Sequence, residues 1–163
     1  KISFSVASLR ADTLDEAMTN ALAASGQQTM TVAPEAGSSR MRDSINKGIT
    51  EEHVYHAIEL AASAGMKNIK LYYMIGLPGE EDSDIEEMIA MINRIREKMD
   101  LAGNKGELVI SVNAFVPKPF TPYQWEPLCS LQVLKKRFKI LQEAFKKNRR
   151  IKLITESLKE TVV

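Results

Sequence analysis

Cysteine is nearly absent: Cys129 is the single one in a chain of 163 residues. No internal disulfide is therefore available, and no all-cysteine metal or iron–sulfur site can be assembled from this chain's own ligands. An excess of one charge is missing too. The 22 Lys and Arg residues against 21 Asp and Glu leave a net charge of +1, so charge alone gives no reason to expect a nucleic-acid or membrane surface. A weak basic bias collects at the C-terminal end. The longest mainly apolar run, at residues 69–78, falls well short of the roughly 20 residues a membrane helix needs. No charged-then-apolar leader opens the chain, and these absences together point to a cytoplasmic protein. What is present, 44% apolar and 26% charged residues, suits one globular domain over 1–163, long enough to bury a core.

Ile2, Phe4 and Val6 alternate with small side chains, which predicts a strand at 2–7. It begins without a polar lead-in, as if the chain started inside a larger fold. Asp12 and Thr13 then read as a helix start, with Leu14, Ala17, Met18, Ala21 and Leu22 at helical spacing until Gly26. A second strand is expected at 29–32, closed by Pro34 and a small-residue loop, followed by a short helix holding Met41 and Ile45. That helix should end near Lys47-Gly48, with Lys47 over its last carbonyls. Thr50 opens the next helix with an approximate capping box in which His53 replaces the usual Glu. The run at 68–75 predicts a strand nearly continuous in apolar character over its second half, as when both faces are covered. Gly76-Leu77-Pro78-Gly79 breaks it. Asp82 or Ser83 caps an amphipathic helix to about residue 99, and the polar linker at 101–106 reads as mobile. A fourth strand spans 107–115. Residues 116–127, with four prolines, cannot be regular structure, although Phe120, Tyr123 and Trp125 are expected to pin that loop to the core. A helix at 131–147, a candidate fifth strand at 151–154 and a frayed tail at 156–163 complete the chain.

Strict alternation of strands and helices implies parallel strands joined by right-handed crossovers. The fold class is α/β, with parallel (β/α) units, and two architectures compete: an open doubly wound sheet and part of a TIM-like partial barrel. Both gather ligands at the carboxyl ends of strands. The residues there are Ser8 and Arg10, then Glu35, Gly37 and Ser38, then Gly76, Pro78 and Glu80, then Asn113, Lys118 and Thr121. A metabolite site with a polar rim is the economical reading; turn geometry alone is the plainer one. Glu35 offers a carboxylate for hydroxyls or an ammonium group, whereas Ser38 also reads as the cap of the following helix.

Other features carry less. The Gly76 to Glu80 run lacks the spacing of a phosphate loop and its acids would repel phosphate. His53 and His56 suit solvated helix positions better than a metal pair. Cys129 shows no partner that would activate it. The clusters Lys135-Lys136-Arg137 and 146–150 read as a solvated face rather than an RNA-binding one.

Three stretches, taken in order and at their separations, carry a family resemblance. They are Thr31-Val-Ala-Pro-Glu-Ala-Gly-Ser-Ser-Arg-Met-Arg-Asp-Ser-Ile-Asn-Lys47, Leu71-Tyr-Tyr-Met-Ile-Gly-Leu-Pro-Gly-Glu80, and Asn113-Ala-Phe-Val-Pro-Lys-Pro-Phe-Thr-Pro122. Over about residues 1–155 the chain resembles the second half of a radical S-adenosylmethionine (SAM) enzyme. It is nearest the methylthiotransferases, the oxygen-independent coproporphyrinogen oxidases and uncharacterised radical SAM proteins associated with a cobalamin domain. The resemblance implies a partial six-stranded (β/α) barrel in which a [4Fe–4S] cluster, held by a CxxxCxxC loop, reductively cleaves SAM to a 5′-deoxyadenosyl radical. That loop is missing here. The four strands would match the family's third to sixth, so the implied chain is a piece that lines the SAM site, is inactive alone and needs the N-terminal half of the barrel as partner.

Residue by residue, the resemblance implies SAM contacts from Glu35 and Ser38, and from Lys47 in place of the usual Arg, which keeps the charge but loses the bidentate fork. Tyr72 stands where relatives carry an Asp near the ribose. Ile75 and the backbone of Phe115 and Val116 match positions around the adenine, and Ser8 and Arg10 follow a strand that commonly contacts SAM. The substrate and the catalytic residues are left unassigned. The alternative is a stand-alone α/β module that binds a small metabolite or a partner without redox chemistry. A truncated sheet also implies an unpaired edge, hence self-association.

Overall fold

In the computed structural model, which describes residues 8–156, the period-two apolar runs form one four-stranded sheet. Its strands are β1 (Thr29–Glu35), β2 (Asn68–Ile75), β3 (Leu108–Ala114) and β4 (Ile151–Thr155), all parallel and in the order β1-β2-β3-β4. A helix α1 (Glu16–Ala24) precedes β1. The crossovers are α2 (Ser39–Ser44) with α3 (Glu51–Ser63), then α4 (Asp82–Leu101), then α5 (Leu131–Phe145). Because parallel crossovers are right-handed and the order advances one way only, the helices fall on one face of the sheet. A doubly wound sheet would reverse direction at a switch point; this one does not. The α/β sheet has the form of part of a TIM-like barrel.

One core confirms the arrangement. Met30, Val32, Ile69, Leu71, Tyr73, Ile75, Ile110 and Val112 pack with Val54, Ile85, Ile92, Leu134 and Leu141 of the helices in a single buried cluster. In β2 only alternate residues are buried, Ile69, Leu71, Tyr73 and Ile75, with Lys70, Tyr72 and Met74 half-buried. The expectation that both faces of this strand are covered is corrected accordingly: on the second face Lys70, Tyr72 and Met74 are only half-buried, Met74 by packing against the small cluster of Ala36, Met41 and Leu77.

Local chemistry sets the element ends. Asp15 caps α1 by accepting from the Met18 N–H at 2.7 Å, so the expected start at Asp12 and Thr13 is instead a 3-10 turn at Ala11–Thr13. Thr50 and His53 complete the capping box: Thr50 Oγ1 accepts from His53 N at 3.3 Å, and His53 Nδ1 accepts from Thr50 N at 3.2 Å. Glu81, not Asp82 or Ser83, is the N-cap of α4, its N–H donating to Asp84 Oδ2 at 2.7 Å. The linker at 101–106 is tethered rather than loose. Buried Arg96 donates to Gly106 O at 2.7 Å, Asn104 O at 2.6 Å and Asp100 Oδ1 at 2.9 Å.

Two aromatics depart from expectation. Phe120 is 99% and Trp125 88% exposed; of the three, only Tyr123 ties the proline-rich loop down. The strand expected at 2–7 and most of the frayed tail lie outside the described residues. Leu9 bridges Val32 in parallel, its N–H donating to Thr31 O at 3.0 Å. Among the described residues no helix is long and apolar enough to cross a membrane.

Candidate functional site

Pro34 has no N–H to give to the ladder, and the β1–β2 register shifts between Val32 and Glu35. The chain leaves this bulge with Glu35 at φ 71°, a left-handed conformation that costs a non-glycine residue about 1–2 kcal/mol. Such strain persists only where surroundings enforce it, and the next seven residues do so. A Cβ on Gly37 would lie 2.2 Å from Met88 Cβ and 2.8 Å from Asp84 O, so only glycine fits against α4. Arg42, 5% exposed, donates through Nη1 to Gly37 O at 2.8 Å and Ala36 O at 3.3 Å. Nothing in the spacing of α2 marks Arg42 as buried, and it is the residue the sequence reading missed.

Ser38 caps α2, accepting from Met41 N at 3.1 Å, and donates to Asp84 Oδ1 at 2.6 Å. Arg40 reaches the other Asp84 oxygen at 2.5 Å. Burial alone would raise the Asp84 carboxyl, but the Ser38, Glu81 N–H and Arg40 bonds outweigh it and hold the group below the usual carboxylate range.

Glu35 and Lys47 meet across this frame, Nζ to Oε1 at 3.1 Å, both side chains partly exposed. Asn46 at φ 52° and Gly48 at φ 64° turn the chain so that Lys47 faces Glu35 and not the helix carbonyls. Arg10 stands behind it. Its guanidinium grips Asp12 at 2.8 and 3.1 Å and donates to Lys47 O at 3.2 Å.

A cleft of about 670 Å³ opens at the carboxyl ends of β1–β3, and its walls include Ser8, Glu35, Tyr72, Asn113, Phe115, Val116, Lys118 and Thr121. Of the expected site residues, Ser8, Glu35, Tyr72, Phe115 and Val116 are brought together there, with Lys47 at the edge through Glu35. Three are not. Ile75 is fully buried in the core, its carbonyl accepting from Phe115 N at 2.8 Å. Ser38 is 1% exposed with its hydroxyl doubly engaged. Arg10 is committed to Asp12 and to the Lys47 backbone. Tyr123 closes one side, edge-on to Phe115 with ring centroids 5.8 Å apart and its hydroxyl donating to Ser44 O at 2.8 Å.

The loop at 76–80 serves the frame. Gly76, at φ 82°, lies so close to α5 that a Cβ would meet Leu134 Cδ2 at 2.8 Å and Cys129 Cβ at 2.9 Å. Glu80, expected at the rim, has a side chain only 1% exposed and pairs with Arg137 at 2.6 Å, while also accepting from Gly76 N at 2.5 Å. Burial pushes its carboxyl up to about 7 against the pull of the Gly76 N–H and Arg137. Among the described residues no group of three His, Cys, Asp or Glu side chains is placed to hold a metal.

Comparison with known proteins gives two findings. The family model described as Radical SAM superfamily matches residues 1–92. A protein of Methanocaldococcus jannaschii, itself described only as uncharacterised, is 38% identical over 146 residues, 90% of this chain and 30% of that protein. The chain thus spans about 30% of the length of the curated relative it matches.

Proposed function

This chain belongs to the radical SAM superfamily, and from that premise we propose that the cleft at the carboxyl ends of β1–β3 binds SAM within a longer protein that reductively cleaves it. The observation that carries the reading is the Glu35–Lys47 pair beside the cleft. A carboxylate and an ammonium side by side match the two ends of an amino-acid zwitterion, so Glu35 receives the ligand's ammonium and Lys47 its carboxylate. Phe115, Val116 and Met74 supply an apolar wall for a flat base, and Tyr72 and Ser8 supply hydroxyls near the sugar. The cleft's size lies within the usual range for small-molecule sites, roughly 300–1,000 Å³. SAM, once bound, would supply the adenosyl group whose carbon–sulfur bond is broken. Ser38, Arg10 and Ile75 act from behind, fixing the frame rather than touching the ligand.

The iron–sulfur cluster that the family uses does not fit this chain's residues: Cys129 is one thiol, half-buried against Gly76. We assign its ligands to the remainder of the longer protein and derive no step through it. Within the superfamily we place the chain near the methylthiotransferases, the oxygen-independent coproporphyrinogen oxidases and the cobalamin-associated proteins, on the three stretches at 31–47, 71–80 and 113–122 taken together. The reading is tested by titrating the protein with SAM in a calorimeter. Saturable binding that weakens about tenfold or more in Glu35→Gln and Lys47→Met supports it; unchanged affinity in both variants refutes it.

A further inference from the structure

The sheet face opposite the helices carries polar side chains, two lysines among them, for which the described residues supply no counter-ion. In register, Lys70 of β2 stands beside Val109 of β3, which stands beside Lys152 of β4. Two lysines therefore share one row, two strand spacings or about 10 Å apart at the backbone. The row above holds Tyr72, Ser111 and Ile154, and the row above that Met74 and Asn113. Lys70 Nζ lies 4.7 Å from the centre of the Tyr72 ring, so its ammonium is carried up the strand toward the cleft, which Tyr72 and Asn113 line.

Among the described residues neither lysine enters an ion pair, although ten such pairs form elsewhere. No carboxylate stands on the first two of these rows; Glu156, one residue past the Val112–Thr155 pair, comes level with Asn113 and lines the cleft together with Glu35, and among the described residues it pairs with neither lysine. A lysine on an edge strand is an ordinary guard against strand pairing, which accounts for Lys152 taken alone. It does not account for Lys70, which is half-buried on an interior strand, where a cation without a counter-ion is costly.

We propose that this row is a subsite for an anionic group, a carboxylate or a phosphate ester, borne by the reacting substrate. Lys70 and Lys152 converge on the group from either side on their four-carbon stems, and the hydroxyls of Tyr72 and Ser111 complete its hydrogen bonds. The subsite rests on the SAM reading only for calling the anion the substrate's.

Two anions serve as probes, glutarate for a carboxylate and inorganic phosphate for a phosphate ester. Each is titrated at constant ionic strength and followed by the amide resonances of residues 70–74, 109–113 and 152–154. Either probe is expected to shift these resonances saturably, with affinity falling about tenfold in Lys70→Gln and Lys152→Gln. The exposed Lys152 variant guards against misfolding, which the dispersion of the remaining amides reports. A response to glutarate alone identifies a carboxylate substrate, and one to phosphate alone a phosphorylated one. Resonances that ignore both anions, or variants that bind as the parent does, overturn the proposal. SAM is titrated separately: if it fails to bind while the lysine-dependent anion response persists, the SAM reading falls and the anion subsite stands.

Discussion

The Glu80–Arg137 pair should make stability depend on pH in a window where few other groups titrate. The Glu80 carboxyl, 1% exposed, is pushed by burial from its ordinary 4.5 up to about 7. A carboxyl raised on folding contributes stability that is fully present below about pH 4.5 and lost as pH rises through about 7. The raised value corresponds to a swing on the order of 3 kcal/mol across that span. Glu80→Gln removes the proton from the problem while keeping the side chain's shape, so its stability relative to the parent should improve as pH rises from 5.5 to 8.5. Arg137→Met leaves the carboxylate buried without its counter-charge. Breaking a buried pair in this way costs about 3–5 kcal/mol, and the cost should be greatest at pH 8.5 and shrink toward pH 5.5 as Glu80 takes up a proton. Urea denaturation of the three proteins at pH 5.5, 7.0 and 8.5 measures this directly. Parallel stability profiles for the parent and Glu80→Gln would show that the carboxyl is ionised throughout and that the reasoning is wrong.

Three further outcomes are expected. Gly37→Ala forces a methyl group into Met88 Cβ and the Asp84 carbonyl, and thermal unfolding should register a loss of about 1–3 kcal/mol. Glu35→Gly relieves a left-handed φ of 71° while removing a partly exposed ion pair worth about 0–1 kcal/mol; stability should hardly change, yet calorimetry should show SAM affinity falling about tenfold or more. Phe120→Ala and Trp125→Ala touch side chains that are 99% and 88% exposed and should shift denaturation midpoints by less than about 0.5 kcal/mol.

Periodicity revealed the sheet because its signal is local: β2 is bounded by Gly65 and Gly76, and its alternate residues face one core. The barrel-like order was reachable only as one of two options, since strand sequence alone does not say on which side each new strand is added. The cleft was legible through loop position, which located Ser8, Glu35, Asn113, Lys118 and Thr121, and through the family resemblance, which added Tyr72, Phe115 and Val116. Engagement by residues distant in the chain was not legible. Ser38 and Arg10 have the chemistry of ligand contacts, yet Asp84 lies 46 residues from Ser38 and Lys47 lies 37 from Arg10, and those long-range partners engage them. Phe120 and Trp125 failed in the opposite sense: large aromatics predict burial on average, but a loop with four prolines cannot fold back far enough to bury all three rings, and Tyr123 alone reaches Phe115.

The residues around Glu35 show why the frame and the site had to be separated by depth. A strained carboxylate stays aimed only if its backbone has no cheaper conformation. Arg42 is buried against the two carbonyls that follow it and leaves its own Nε without a partner. Relaxing Glu35 to an extended φ would move those carbonyls and strip the guanidinium of its acceptors inside the core, a loss of about 1–3 kcal/mol for a single unsatisfied donor and more for a charged one. That exceeds the strain it would relieve. Lys47 contributes less to holding Glu35, because their pair is partly exposed and screened, and this weakness suits a site in which both groups must change partners when a zwitterion arrives. Strong buried bonds thus set where the carboxylate points, and a weak surface pair keeps it available.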